Sequence, residues 1–162
     1  MSTETAPAPT TREAQAHAII QKNMLWAGGA GILPLPLFDL AAITGVQLKL
    51  VKELADLYEV PFLKNATRTV VISLIGTLTT GTLAGVTAMA ALKFLPGVGQ
   101  FVAALSLPVF SVGVTRAVGR VFVQHFEAGG TILDLDPAAM RNYFREEFEK
   151  GTASAKATKP VK

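Results

Sequence analysis

Two adjacent stretches of this 162-residue chain contain no charged side chain. Residues 69–92 give 24 consecutive positions without Asp, Glu, Lys, Arg or His, and residues 94–115 give another 22. A helix rises about 1.5 Å per residue, so the first stretch can cross the ~30 Å hydrocarbon core of a bilayer. The pattern predicts a hairpin of two membrane-buried helices, over about residues 69–92 and 97–115, with a turn at Pro96 and Gly97.

The composition excludes several classes of function. Only 17% of the chain is charged and half is hydrophobic, which excludes a disordered protein. There is no cysteine, and the two histidines, His17 and His125, are too few for a multi-histidine metal site. Neither a Walker motif nor a complete dinucleotide loop occurs, and the basic C-terminal residues are too sparse for nucleic acid. We expect no catalytic residue, cofactor, metal or nucleic-acid partner.

The first charge-free stretch is only marginally apolar. Its nine strongly apolar residues favour insertion by about 3–5 kcal/mol in total, and seven Ser and Thr residues in the same segment oppose it. A soluble helix that is buried on all sides has the same appearance. A soluble helical oligomer that buries the hairpin is therefore an alternative to membrane insertion.

Small residues recur at a spacing of four in both predicted helices. Gly81 and Gly85 form a GxxxG pair in the first, and Ser111, Thr115 and Gly119 repeat the spacing in the second. Small residues let helix backbones approach closely where lipid provides no hydrophobic drive for association. We therefore predict that these five residues pack helices together, within the hairpin or between copies in a homo-oligomer.

Pro108 interrupts the second predicted helix. Proline removes one backbone hydrogen bond and clashes with the preceding turn of a helix. Two interpretations remain open at this point. The helix is kinked at Pro108, or residues 97–107 form a re-entrant half-helix about 16 Å long.

The N-terminal part combines a polar tail, a helix and an apolar segment. Residues 1–11 are rich in Pro, Thr and Ala and are expected to be disordered. Thr10 and Glu13 fit a capping box that opens a helix. The 16 residues 23–38 are uncharged but short for a span and contain two prolines. They suit the membrane interface, where Trp is enriched, and a cleaved signal peptide is the competing interpretation.

Asp39 lies among strongly apolar neighbours. It falls in the first turn of a predicted helix that begins at Pro36 and ends before Pro61. One interpretation is an intramembrane acid that takes part in ion or proton passage, as in a pore or transporter component. The other is a carboxylate that interacts with the positive end of the helix dipole.

Charge returns after the second predicted helix. Arg120, Gln124 and Glu127 follow one helical face, whereas His125 follows the other face with Phe126. With Asp39, these four polar residues are our candidates for a functional role. His125 and Glu127 could perform acid–base chemistry, and simple packing of the imidazole against aromatic rings is the alternative.

Glycine and proline punctuate the C-terminal part. Gly129 and Gly130 are expected to stop the helix, and Asp136 is expected to cap a last short helix. Residues 151–162 are a basic tail that we expect to be disordered. The sequence thus predicts a single helical domain over residues 12–149.

The distribution of basic residues predicts an orientation. Lysines and arginines precede and follow the predicted hairpin, whereas only Lys93 lies at its turn. Basic loops remain on the cytoplasmic side of a membrane. We therefore expect a bacterial inner-membrane protein with both termini in the cytoplasm.

Three blocks of sequence resemble domain of unknown function 697. They are LPLPLFDLAAIT at residues 33–44, LPGVG at 95–99 and, most specifically, GRVFVQHFEAGGT at 119–131. Members of that family are small bacterial membrane proteins or domains attached to P-loop GTPases. The resemblance implies a membrane-associated helical module that works beside a GTPase. Because the chain carries no Walker motif, that partner would act in trans.

These observations predict an all-α fold, a membrane-associated helical hairpin with flanking amphipathic helices. The predicted function is a non-enzymatic membrane module that self-associates and docks a cytoplasmic partner. Its expected partners are membrane lipid, further copies of the chain and a P-loop GTPase in trans. A pore component that uses Asp39 and a soluble helical oligomer are the alternatives.

Overall fold

The structure of the protein, a computed structural model, describes residues 11–30, 39–79 and 98–157, and all regular secondary structure in these ranges is helical. Those residues form five helices. They are α1 (Thr11–Ala30), α2 (Asp39–Tyr58), α3 (Lys64–Thr79), α4 (Val98–Glu127) and α5 (Arg141–Ala157). The predicted all-α class is confirmed for these residues.

The longest helix, α4, is the central element of the bundle. It contacts α1, α2, α3 and α5. From residue 111 to residue 123, every position except 112, 116 and 120 is buried, so several faces of the helix point into the core. The core positions on this helix are Val114, Ala117, Val118, Val121, Phe122, Val123 and Phe126.

Helices α1 and α4 run in opposite directions. A Cβ atom on Gly28 would lie 3.5 Å from Val112, and one on Gly119 would lie 2.6 Å from the Ile20 side chain. Residues later in α4 therefore contact residues earlier in α1, which makes the two helices antiparallel. Gly119 has no side chain where Ile20 approaches, which allows the two backbones to pack closely.

Helix α2 runs parallel to α4. Near the middle of both helices, the Gln47 amide donates a 2.9 Å hydrogen bond to the Thr115 hydroxyl. At their C-terminal ends, the Tyr58 hydroxyl donates a 2.8 Å hydrogen bond to Glu127. Residues later in α2 pair with residues later in α4, so the C-termini of the two helices lie at the same end of the bundle.

Helix α5 runs antiparallel to α4 and crosses it at a pair of glycines. The Arg116 guanidinium contacts Glu147 at 3.1 Å, and a Cβ atom on Gly151 would lie 2.9 Å from the Gly113 Cα. Helix α3 follows α2 after a short linker, in which Glu59 has a positive φ of 58°. It buries Val71 and Leu74 against the core and meets α2, α4 and α5.

These directions give the bundle two distinct ends. One, which we name the connection end, gathers the last residues of α1 and α5 and the first residues of α2 and α4. The other, the loop end, gathers the opposite termini of these four helices. Residues 31–38, between α1 and α2, and residues 80–97, between α3 and α4, lie outside the described residues.

The predicted hairpin is described in part. Helix α3 contains the start of its first helix and is followed to Thr79. Gly81, Gly85 and the predicted turn at Pro96 and Gly97 lie outside the described residues. The second predicted helix is the N-terminal part of α4, which continues through Pro108 to Glu127 without interruption. Among the helical segments that can be described, none has both the length and the apolar character to cross a membrane.

The two predicted tails fall differently on the described residues. Helix α1 is described from Thr11, and residues 1–10 of the predicted N-terminal tail lie outside the described residues. At the other terminus, α5 continues to Ala157, whereas the sequence predicted a disordered tail from residue 151. The helix continues because Gly151 packs directly on Gly113 of α4, and this contact offsets the low helix propensity of glycine.

Candidate functional site

A buried ionic cluster joins α4 and α5. Only 2% of Glu147 is exposed, and its Oε2 atom lies 3.1 Å from Nε of Arg116 and 3.7 Å from Nε of Arg120. Lys150 reaches the other carboxylate oxygen at 3.3 Å. Three cations therefore surround one buried carboxylate, which meets the requirement that a buried charge be paired.

The same cluster extends to α1 through His17. The Arg120 Nη1 atom lies 2.6 Å from Nε2 of His17. Arginine has donors and no acceptor, so Nε2 must accept this hydrogen bond and the ring proton must lie on Nδ1. Arg120, a predicted functional residue, thus links three helices.

A second polar contact lies in the core between α2 and α4. The Thr115 hydroxyl accepts from Gln47 at 2.9 Å and donates to the Ser111 carbonyl at 2.8 Å. All three residues are buried. Within the part of the chain that is described, Oε1 of Gln47 has no hydrogen-bond partner. Thr115 and Ser111, predicted to pack helices, therefore lie where α4 faces α2.

A third polar group joins α1 and α2. Lys22 contacts Glu53 at 2.8 Å, Lys49 contacts it at 3.6 Å, and the Asn23 amide donates to it at 3.3 Å. Burial by itself raises the pKa of Glu53. The hydrogen bond and the charge of Lys22, the hydrogen bond from Asn23 and the charge of Lys49 together outweigh burial, so the pKa of Glu53 is lowered.

Next to this group, α1 presents two large apolar side chains to solvent. Leu25 is 79% exposed and Trp26 is 64% exposed. The Lys49 ammonium lies 5.5 Å from the centre of the Trp26 ring, within the range of a cation–π interaction. This surface, Leu25 and Trp26 with Lys49, is formed by the C-terminal part of α1 and the middle of α2.

His125 supports the turn that follows α4. Its Nε2 atom lies 2.8 Å from the Asp134 carboxylate and 2.9 Å from the Thr131 carbonyl. The hydrogen bond from His125, and then the one from the Thr131 backbone, lower the pKa of Asp134. Gly129, with a φ of 84°, ends the helix as predicted. The geometry gives His125 a role in shaping this loop.

The remaining predicted polar residues lie apart from the buried cluster. Glu127 is exposed and accepts from Tyr58, and burial together with this hydrogen bond raises the pKa of the Tyr58 hydroxyl. Gln124 is exposed to solvent. Asp39 begins α2 at the connection end, but its side chain lies outside the described part. The structure therefore brings Arg120 into a cluster without Gln124, His125 or Glu127.

Glu147 is the residue that sequence reasoning missed. It looks like its exposed neighbour Glu146, and no motif distinguishes it. One signal is present, because Glu147 follows the buried Phe144 by three residues and precedes the buried Gly151 by four. This spacing places a carboxylate on the core-facing side of α5.

The contacts described above hold helices together. Glu147, Gln47 and Glu53 each bond to a side chain of another helix. No group of three or more His, Cys, Asp or Glu residues suited to a metal ion occurs in the described ranges. These buried polar contacts can fix how the helices are aligned along one another, so their role is structural.

Residues 7–151 match the family model of a Domain of unknown function (DUF697). The chain belongs to this DUF697 family. It is also similar to magnetosome membrane protein 22 of Magnetospirillum gryphiswaldense, with 39% identity over 162 residues that covers 99% of this chain and 83% of that protein. No solved structure matches the chain.

Proposed function

We propose that this DUF697 protein is a non-enzymatic helical module that associates with a bacterial membrane. The observation that carries the proposal is the 39% identity, over nearly the whole chain, to a magnetosome membrane protein. The two long charge-free stretches support it, since lipid contact disfavours charged side chains. We propose the bacterial inner membrane as the location, with both termini in the cytoplasm, on the basis of the flanking lysines and arginines.

The polar interior supports the non-enzymatic part of the proposal. Glu147 is enclosed by Arg116, Arg120 and Lys150, so its carboxylate is used to hold α4 against α5. The Gln47–Thr115 hydrogen bond fixes α2 against α4 in the same way. Buried groups of this kind specify one arrangement of helices and keep a module rigid.

Three partners belong to this proposal. Membrane lipid is the first, and it is supported by the membrane-protein relative. Further copies of the chain are the second, supported by the small residues Gly81 and Gly85 in a charge-free stretch. A P-loop GTPase in trans is the third, and it is supported by the family resemblance alone.

Alkaline carbonate extraction tests the proposal. The full chain, expressed in bacteria, should remain with the membrane pellet after the wash, together with a known integral membrane protein. A peripheral membrane protein and a soluble protein serve as controls and should move to the supernatant. Complete release of the chain would contradict membrane insertion, and its absence from unwashed membranes would contradict membrane association altogether.

A further inference from the structure

Two amide oxygens in the core have no hydrogen-bond partner within the described residues. They are Oδ1 of Asn23 on α1 and Oε1 of Gln47 on α2, and both residues are 0% exposed. A buried amide oxygen without a donor has lost its hydration and gained nothing in return, so native interiors rarely contain one. The two oxygens therefore indicate a place for a further hydrogen-bond donor.

Asn23 lies level with the middle of the core-facing part of α4. Helix α1 packs antiparallel on α4, with Ile20 at Gly119 and Gly28 at Val112. Since packed helices rise equally per residue, Asn23 is level with about residue 116 of α4.

Gln47 lies at nearly the same level on α2. Its amide nitrogen donates to the Thr115 hydroxyl, which is within about two residues of the level of Asn23. Asn23 follows the buried Ile20 by three residues, and Gln47 precedes the buried Leu50 by three. Both amides are therefore on core-facing sides of their helices. Helices α1, α2 and α4 contact one another pairwise, so the two oxygens face the space that these helices enclose.

The donors that border this space are already used. The Asn23 amide nitrogen donates to the Ile19 carbonyl and to Glu53. The Thr115 hydroxyl has a single hydrogen, which it donates to the Ser111 carbonyl. The site thus presents two acceptors, and it suits a small ligand that carries two donors.

We propose that Asn23 and Gln47 together hold one buried water molecule between α1, α2 and α4. Water has two hydrogens, so it donates one to each amide oxygen, and buried waters typically bond to groups that are otherwise unsatisfied. A metal cation suits the site less well, because both oxygens are neutral and the Glu53 carboxylate is already paired with Lys22 and Lys49. This site is independent of the proposed membrane association.

Nuclear magnetic resonance of the full chain in mild detergent tests the site directly. The side-chain amide protons of Asn23 and Gln47 should show Overhauser peaks to water with the sign of a long-lived contact, which differs from the sign of proton exchange. Gln124 is the control, because it is exposed and should lack this signature. Absence of the peaks, or a peak at only one of the two buried amides, would overturn a shared water.

A double-mutant cycle tests whether the two amides share a ligand. Asn23→Leu and Gln47→Met remove the oxygens with little change in side-chain volume. Their combined effect on the folding equilibrium constant should fall short of the product of the single effects by about fivefold or more. Independent effects of the two substitutions would contradict the proposal.

Thr67→Val is the matched control for this cycle. Thr67 is also buried, but it lies on α3 and its hydroxyl donates to the Leu63 carbonyl of the preceding turn. Its effect should combine with that of Asn23→Leu to within about twofold of the product. Coupling of Asn23 to Thr67 as strong as its coupling to Gln47 would show general loosening of the core and count against a shared water.

A change of salt separates water from a metal cation. The midpoint of thermal unfolding of the native chain should be the same in sodium, potassium and choline chloride at equal ionic strength. Stabilisation by sodium or potassium that disappears in Gln47→Met would show that a cation occupies the site, and would overturn the assignment to water.

Discussion

At the scale of single residues, two adjacent glutamates show how burial assigns a role. The side chain of Glu146 is 61% exposed and pairs with Lys150 one turn along α5. Glu147 is buried and faces Arg116 and Arg120 on α4. Consecutive helix positions differ by about 100° around the axis, so neighbours in sequence reach opposite environments.

Replacing these glutamates should have very different effects. Glu147→Ala leaves Arg116 and Arg120 without their buried carboxylate, and we expect it to lower the free energy of unfolding by about 3–5 kcal/mol. Glu146→Ala removes an exposed pair and should leave the free energy of unfolding nearly unchanged. Urea unfolding followed by circular dichroism in mild detergent measures both values. Equal losses in the two variants would contradict the structural assignment of Glu147.

The lowered pKa of Glu53 predicts a dependence of stability on pH. A carboxyl group whose pKa is lower in the folded state than in the unfolded state stabilises the folded protein. This contribution is complete when the pH is well above the unfolded-state pKa, about 4.5, and it is lost as the pH falls through the folded-state pKa. Glu53→Gln should therefore be less stable than the native chain at neutral pH, and the difference should narrow in acid.

Thermal unfolding over a pH series measures this difference. Glu59→Gln is the matched control, because the Glu59 side chain is 84% exposed and only 4.0 Å from Arg12. The difference in stability between the native chain and Glu59→Gln should stay small, because an exposed ion pair contributes little to stability. A gap for Glu53→Gln that widened towards acid would contradict the sign of the pKa shift.

At the scale of helices, glycines set the distance between α4 and its neighbours. Gly113 and Gly151 meet where α4 crosses α5, and Gly119 receives Ile20 where α4 crosses α1. The spacing of small residues predicted that Gly119 packs against another helix, but it did not predict which helix. Which helix fills the space above a glycine depends on the path of the whole chain.

Adding one methyl group tests the α4–α5 crossing. Gly151→Ala would place a Cβ atom 2.9 Å from the Gly113 Cα, and backbone cannot move aside as a flexible side chain can. We expect a loss of about 1–3 kcal/mol in the free energy of unfolding. Gly45→Ala is the control, since nothing lies within 4 Å of its new Cβ, and it should be neutral or up to about 1 kcal/mol more stable. The same denaturant titration compares them, and a stabilised Gly151→Ala would refute the close crossing.

Helix α4 shows how packing outweighs a local signal. Pro108 removes a backbone hydrogen bond, so the sequence was compatible with either a kinked helix or a re-entrant segment. The structure continues the helix across Pro108 for 30 residues in all. The part of α4 that follows Pro108 contacts α1, α2 and α5, and these contacts offset the loss of one backbone hydrogen bond.

At the scale of the whole molecule, exposed apolar side chains occur at separate places on the bundle. Leu25 and Trp26 are exposed in the C-terminal part of α1, and Leu133 is exposed in the loop after α4. That loop also contains the polar contacts that join His125, Thr131 and Asp134. These exposed residues are far apart in the sequence, so their relative placement depends on how the helices pack.

Hydrogen exchange tests which parts of the molecule the core holds. Amides of residues 114–126 of α4 lie in the core and should be protected from exchange in mild detergent. Amides of residues 131–136, in the loop after α4, should exchange rapidly. Equal exchange rates in the two ranges would contradict the central position of α4.

The sequence by itself determined the helical class, the charge-free stretches, the stop at Gly129 and the membership of the DUF697 family. These features depend on local propensity, periodicity and short motifs, which are written in neighbouring residues. Only the tertiary structure decided that Glu147 is buried, that Gly151 lies within a helix, and that this glycine packs on Gly113 of α4. Those facts depend on contacts between residues far apart in the chain, and local sequence does not specify which distant surface will cover a side chain.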